Sequence, residues 1–497
     1  MTMREPDDFD AGDPDAEAVA RPRSLALRIA DGIVMALFFA PLALAALPMG
    51  ANRDWAWAPI VVMIGVMAVL VAFGLGARRG FDVAENERVP LLVLTACFAA
   101  FVAFALLQMS PIAPASGSAW LYAAAARILG FAHAAVPDLA IDAARNTLLK
   151  CIACGLIFLI ARAICKDRNH ARTLLVLLIA SAALVVTYGL IMQVTTHSCY
   201  VGGYLKKQGT YDPRGQCTVS GSFVNSNSFA CYVGMGIVAA IALLFGGDRR
   251  RDDAVRFDRG GMQAFESQLT LSRVVLLAAA FYLLGGLLLS ASRAGFAASV
   301  AGAVALALLL LRGRWRERPD LVRYFLVGLA VLLVVGVVAG GALLNKAVRA
   351  DESGTRLVIW LTSLEAVSLS PWFGWGLGGF ADIYSILQPA TIPQPNDLAH
   401  STPLETVVEL GVIAAIPAFA VVLLPWGISL RGALRRDRRR RVLPAAAFAI
   451  AAVAILHSTV DFSLQIPAIG FVVSAVLGMG WARAFSSTRR ARDSGAL

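Results

Sequence analysis

Runs of about 18 to 25 apolar residues recur along almost the whole 497-residue chain, and that repetition constrains the fold more than any single motif. At about 1.5 Å of rise per residue, each run is long enough to cross a hydrocarbon core of roughly 30 Å as a helix. Lipid gives a main-chain amide no partner, so such runs must satisfy their own hydrogen bonds, and the helix does this within one segment. The expected fold is therefore all-α: a polytopic integral membrane protein with about 12 transmembrane helices. They fall at roughly 29–50, 55–76, 90–109, 146–165, 173–194, 226–246, 272–290, 295–311, 321–344, 404–428, 443–460 and 465–485. The chain is 58% hydrophobic and only 15% charged, with a mean hydropathy of +0.70, which fits that class. No repeat and no soluble segment large enough to bury its own core is visible. One membrane domain, 29–485, is expected between tails at 1–28 and 486–497.

The net charge of +11 invites a nucleic-acid reading, but the placement of the charges argues against it. With a cytoplasmic N-terminus, the tails and even-numbered loops collect most of the 44 Lys and Arg, including Arg249 to Arg251, Arg312 to Arg318 and Arg435 to Arg441. Positive charge marks the cytoplasmic side, so both termini are expected there, with membrane lipids rather than nucleic acid as the neighbours of the basic clusters. The first 28 residues, acidic and then Pro- and Arg-containing, read as a disordered tail without a signal-peptide core. The large loop between the ninth and tenth spans, 345–403, then faces the periplasm.

Of seven cysteines, Cys97, Cys151, Cys154, Cys165 and Cys231 fall in or at the ends of spans and read as packing residues. Cys151 and Cys154 form a C-x-x-C, but no second pair or histidine accompanies it, so no metal is expected. Cys199 and Cys217 share an external loop where an oxidising compartment would permit a disulfide.

The polar motifs gather on the external side. Asn225 and Asn227 open the sixth span, either as caps and turns or as part of a helix end whose amides meet an anion. Arg293, in Ser290 to Gly295, stands at the outer junction of two spans, where an arginine either snorkels or serves a site. In the large loop, Arg356 precedes an amphipathic stretch, Leu357 to Leu369, that suggests a helix on the membrane surface. The glycine-rich run Pro371 to Phe380 would let backbone amides approach a phosphate or a sugar, or it is a tight re-entrant turn. Beyond it, Thr402, Pro403 and Glu405 read as the N-cap, first turn and capping box of a helix. Glu409 lies one turn deeper and needs a partner, an arginine or substrate hydroxyls. His400, just before that helix, is suited to accept a proton, and His457 and Asp461 reach the same face at the end of the eleventh span.

Taken in order, G-S-F-V-N-S-N-S-F-A, S-A-S-R-A-G, R-L-V-I-W, P-W-F-G-W-G-L-G-G-F, A-H-S-T-P-L-E-T-V-V-E-L-G and H-S-T-V-D-F resemble the bacterial O-antigen ligase and O-antigen polymerase family, over about residues 140 to 480. The resemblance implies an inner-membrane glycosyltransferase that takes a glycan from undecaprenyl diphosphate on the periplasmic face and passes it to a hydroxyl. That acceptor is the lipid A core for a ligase or another glycan repeat for a polymerase. It implies no cofactor, neither nucleotide sugar nor metal. Arg293 and Arg356 match the family arginines for the diphosphate, and His400 matches the histidine at the reaction centre. Glu409, Asn225, Asn227, Asp461 and His457 are the expected substrate-binding residues. One departure stands out: the family usually has Asn after the histidine, where this chain has Ser401. A single displacement would invert the anomeric centre. The rival from another class, a transporter or flippase for lipid-linked glycans, would show interrupted helices or paired charges near mid-membrane and symmetry between halves. The clustering of ionisable residues on one face favours the enzyme.

Overall fold

In a computed structural model, the described residues are 25–73, 81–110, 118–130, 140–196, 200–201, 204–205, 218–246, 271–312, 323, 351–390, 392, 395–435 and 440–485. Among them the chain forms α1 (Leu25–Leu44), α2 (Asp54–Ala72), α3 (Glu85–Gln108), α4 (Ser118–Leu129), α5 (Ile141–Ile164), α6 (Arg168–Thr196) and α7 (Ser226–Phe245). There follow α8 (Leu271–Leu289), α9 (Arg293–Leu311), α10 (Asp351–Leu369), α11 (Phe380–Leu387), α12 (Thr402–Arg435), α13 (Val442–His457) and α14 (Pro467–Phe485). A two-residue antiparallel pair, Tyr200–Val201 with Tyr204–Leu205, is the one departure from helix and turn among these residues.

The chain is a multi-pass membrane protein. Nine described helices are long and apolar enough to cross a bilayer, and two shorter apolar helices, Gly32–Leu44 and Val442–His457, account for the expected first and eleventh spans. Eleven of the twelve expected spans thus have a described helix, and the ninth, 321–344, lies outside the described residues but for Arg323. So do both tails, although α1 begins at Leu25, inside the stretch expected to be tail. Cys199 and Cys217 also lie outside the described residues.

The centre of the bundle is α7, α13 and α14, whose side chains are buried on nearly every face. Small residues permit this. A Cβ on Gly478 would stand 2.4 Å from the Phe158 carbonyl of α5, and one on Gly302 would meet Val453 of α13 at 2.5 Å. Close backbone approach replaces the hydrophobic drive that lipid removes.

The stretch 345–403, expected as a loop, is largely helical where described. α10 buries Ile359 and Ala366 against Trp375, Phe380, Ile383, Tyr384 and Val408. Its other face leaves Leu357, Leu361 and Leu364 more than half exposed, at a spacing of four and three residues. The helix that the amphipathic pattern predicts is present, beginning a turn and a half earlier and carrying Arg356 with it.

Candidate functional site

α12 does not run unbroken. At Gly411 the backbone leaves the helix, with φ 63° and ψ 177°, a conformation open essentially to glycine alone. A break in a membrane helix orphans carbonyls and amides that lipid cannot satisfy. The turn after α10 satisfies them: Trp375 N donates to Val408 O at 3.0 Å, Gly376 N to Glu409 O at 3.0 Å, and Val412 N to Pro371 O at 2.8 Å. From α3, Gln108 Nε2 donates to Glu409 O at 2.9 Å and to Phe373 O at 2.7 Å. The backbones run so close that a Cβ on Gly374 would stand 2.3 Å from Glu409 O. The tight-turn alternative is thus the one the geometry shows for the glycine run: its amides at Trp375 and Gly376 bind α12. The same contacts fill the interruption with the chain's own backbone.

His400 sits just above this platform. Its φ of +51° is uncommon for a non-glycine residue and costs about 1 kcal/mol, so neighbouring bonds must hold it. On one side Ala399 N donates to Glu405 Oε2 at 2.8 Å, and Ala399 O accepts from Trp360 Nε1 of α10 at 3.0 Å. On the other, Thr402 N donates to Ser458 O at 2.9 Å and to Asp461 O at 3.3 Å. These contacts correct the expected capping box. Glu405 N bonds Ser401 O at 3.0 Å, so Ser401 occupies the cap position, and the Glu405 carboxylate reaches past it to Ala399. Glu405 serves to fix the residue before the histidine.

Around His400 the structure gathers three ionisable side chains from different elements. His400 Nδ1 stands 3.6 Å from Asp461 Oδ1, an ion-pair distance too long for a hydrogen bond. The His400 ring packs edge-on against Phe462 at 5.2 Å. Asp461 is fully buried and accepts from Phe462 N at 2.8 Å. Burial pushes its carboxyl up, but His400, His457 and the Phe462 amide outweigh that and hold it below the ordinary value of 3.8. His457 Nδ1 meets Ser463 Oγ at 2.8 Å, and Arg356 is near enough to act on His457 electrostatically. Arg356 and Trp360 are one helical turn apart on α10, so the indole bond to Ala399 aims the guanidinium at this end of the bundle. His400 Nδ1, His457 Nε2 and Asp461 Oδ2 are all buried with no hydrogen-bond partner among the described residues. Native interiors seldom leave buried polar atoms without a partner, so these three call for one from water or from a substrate.

The other expected site residues are placed as follows. Asn225 caps α7, accepting from Asn227 N at 2.8 Å. Asn227 Oδ1 accepts from Ser292 Oγ at 2.7 Å, and Ser292 in turn caps α9 by accepting from Gly295 N at 3.1 Å. This chain of polar contacts sets exposed Arg293, the first residue of α9, at the same end of the bundle as His400. Among the described residues no ion pair or hydrogen bond joins it to His400, Arg356 or Asp461. α7 links the two groups, because Cys231, one turn beyond Asn227, reaches Ser463. Glu409 is buried and acts electrostatically on Lys150 of α5, which also lies over the Trp57 ring at 5.6 Å.

Sequence reasoning passed over Ser463, Gln108 and Lys150. Gln108 and Lys150 do carry a signal, a strong donor inside an apolar run. Ser463 carries none, since only the turn after α13 brings it to His457.

Residues 278–419 match the family model described as O-antigen ligase. The matched stretch holds Arg293, Arg356, the glycine run, His400 and Glu409, and the motif resemblance to that family is confirmed there. A comparison with curated proteins finds no match.

Proposed function

We propose, from the match of residues 278–419 to the O-antigen ligase family, that this protein acts in glycan assembly by moving a glycan from a polyprenyl diphosphate, of the undecaprenyl type, to an acceptor hydroxyl. The reaction takes place at the His400 end of the bundle, on the periplasmic face of the inner membrane. The observation that carries the reading is the convergence of His400, Asp461, His457 and Arg356 from three separate segments, with buried polar atoms left over.

In this reading Arg356 and Arg293 hold the diphosphate and neutralise the charge that develops as the glycosidic bond breaks. His400 accepts the proton of the attacking hydroxyl at Nε2 while Asp461, facing Nδ1, fixes the ring and stabilises the imidazolium. Asp461 thus acts through His400, as a positioning residue. Glu409, Asn225 and Asn227 shape the surrounding surface. One displacement inverts the anomeric centre. As a ligase, the reading the family description favours, the protein would use the lipid A core as acceptor; as a polymerase it would use another glycan repeat.

The test is deletion of the gene, complemented with wild type or with His400→Ala, followed by analysis of lipopolysaccharide, secreted polysaccharide and carrier-linked glycan. Long glycan on the carrier with an uncapped core is the expected result. Single repeat units alone on the carrier or core would make the protein a polymerase. Unchanged pools with full complementation by His400→Ala would remove the catalytic reading.

A further inference from the structure

The motif resemblance assigns His457 to substrate, but its burial gives it another part. It is the last residue of α13, and at 1% exposure its ring has almost no surface to offer a sugar. The ring lies at the seam between α13 and the turn that leads into α14, where Nδ1 meets Ser463 Oγ at 2.8 Å. Ser463 is fully buried and also contacts the Cys231 thiol of α7. Main-chain bonds hold the turn to its helix: Val460 N donates to His457 O at 3.1 Å, and Leu464 N to Ser458 Oγ at 3.0 Å.

These contacts decide which ring nitrogen carries the proton. A ring nitrogen accepts a hydrogen bond better than a thiol sulphur does, so the Ser463 hydroxyl donates to His457 Nδ1. A ring that accepts at Nδ1 is neutral and keeps its proton on Nε2. That Nε2 is buried without a hydrogen-bond partner among the described residues, and so is Asp461 Oδ2. The two side chains act on each other electrostatically, and one leftover atom is a donor while the other is an acceptor. Asp461 is thereby set between two histidines, with Oδ1 3.6 Å from His400 Nδ1 and Oδ2 left for His457. Catalytic hydrogen bonds are commonly long until substrate seats, and then tighten.

We propose that His457 is a positioning residue for glycan transfer: its Nε2–H donates to Asp461 Oδ2 and holds the carboxylate so that Oδ1 receives the Nδ1–H of His400. This rests on the catalytic reading of His400 given above. With its proton fixed on Nδ1, His400 keeps the Nε2 lone pair for the acceptor hydroxyl. As the new glycosidic bond forms, the hydroxyl proton passes to His400 Nε2, and the electron pair of the breaking bond leaves with the diphosphate. His457 keeps its own proton throughout. The alternative, direct contact between His457 and the glycan, differs in what its loss does to binding and to rate.

The experiment uses the purified full chain, with the lipid extract of the deletion strain supplying donor and acceptor. His457→Phe keeps the ring volume and removes the donor; kcat should fall about tenfold with the KM for carrier-linked glycan unchanged. His457→Gln, whose amide can donate from near the Nε2 position, should recover much of that loss. Combined with Asp461→Asn, His457→Phe should slow transfer no further than Asp461→Asn alone, because both act through one carboxylate. A full kcat in His457→Phe overturns the proposal, as does a raised KM with kcat unchanged, or losses that multiply in the double variant. If His457→Phe does not fold, Ser463→Ala, which frees the ring to change tautomer, should lower kcat about fivefold, and a full rate there overturns it. His400→Ala beside them keeps the two readings apart. An inactive His400→Ala with a normal His457→Phe removes this proposal alone, whereas full transfer by His400→Ala removes the catalytic reading on which it rests.

Discussion

Two buried charged clusters sit at opposite ends of this bundle, and they are finished differently. At one end Glu87 of α3 accepts from Arg162 Nε of α5 at 2.5 Å and from Trp481 Nε1 of α14 at 2.7 Å through the same oxygen. Its second oxygen accepts from Ala84 N at 3.3 Å, and Arg162 Nη2 donates to Asp82 O at 3.3 Å. Both side chains are almost fully buried. At the other end His400 and Asp461 stand 3.6 Å apart, and His400, His457 and Asp461 each keep a buried polar atom without a partner. A cluster closed on itself holds helices together; one left open has capacity for a substrate.

The largest expected effect is at the closed cluster. Arg162→Ala should leave Glu87 buried and uncompensated, costing about 3 to 5 kcal/mol, read as loss of folded protein or a large fall in detergent unfolding temperature. A Glu87→Leu, Arg162→Met double variant should recover much of that loss. Gly411→Ala should cost roughly 3 kcal/mol, because its Cβ would stand 2.3 Å from Trp372 O, and should lower both stability and transfer. At the open cluster the order reverses. Asp461→Asn should reduce transfer roughly 10- to 100-fold with little change in unfolding temperature. Trp360→Phe removes only the bond to Ala399 O and should cost about 1 kcal/mol, seen as a few-fold drop in transfer.

The smallest effect is on pH dependence. The Asp461 carboxyl is held below its ordinary value of 3.8. A lowered folded value means that its ionised form contributes fully above 3.8 and that the contribution fades only as pH falls further. Transfer by wild type should therefore show no loss attributable to Asp461 between about pH 5 and 8. A loss in that window that Asp461→Asn abolishes would contradict the assignment.

The spans were legible because length and hydropathy decide them without reference to neighbours, and the motif order carried the family. The failures were tertiary. The glycine run read equally as an anion cradle, since nothing near it shows that Gly411, some forty residues on, would break a helix and need those amides. The cap fell one residue early because Thr402 N turned to Ser458 O and Asp461 O, a contact set by how α13 ends. Glu87 and Arg162, 75 positions apart, left no pattern. Arg356 and Trp360 were visible as residues, but their shared aim depends on an indole reaching Ala399.

The most direct measurement is glycan transfer by purified His400→Ala and Arg356→Ala beside their unfolding temperatures. Both variants should unfold within a few degrees of wild type, with transfer lower by about 10²- to 10⁴-fold for His400→Ala and markedly lower for Arg356→Ala. Full transfer by a stable His400→Ala protein would contradict the account and leave the open cluster without a catalytic role.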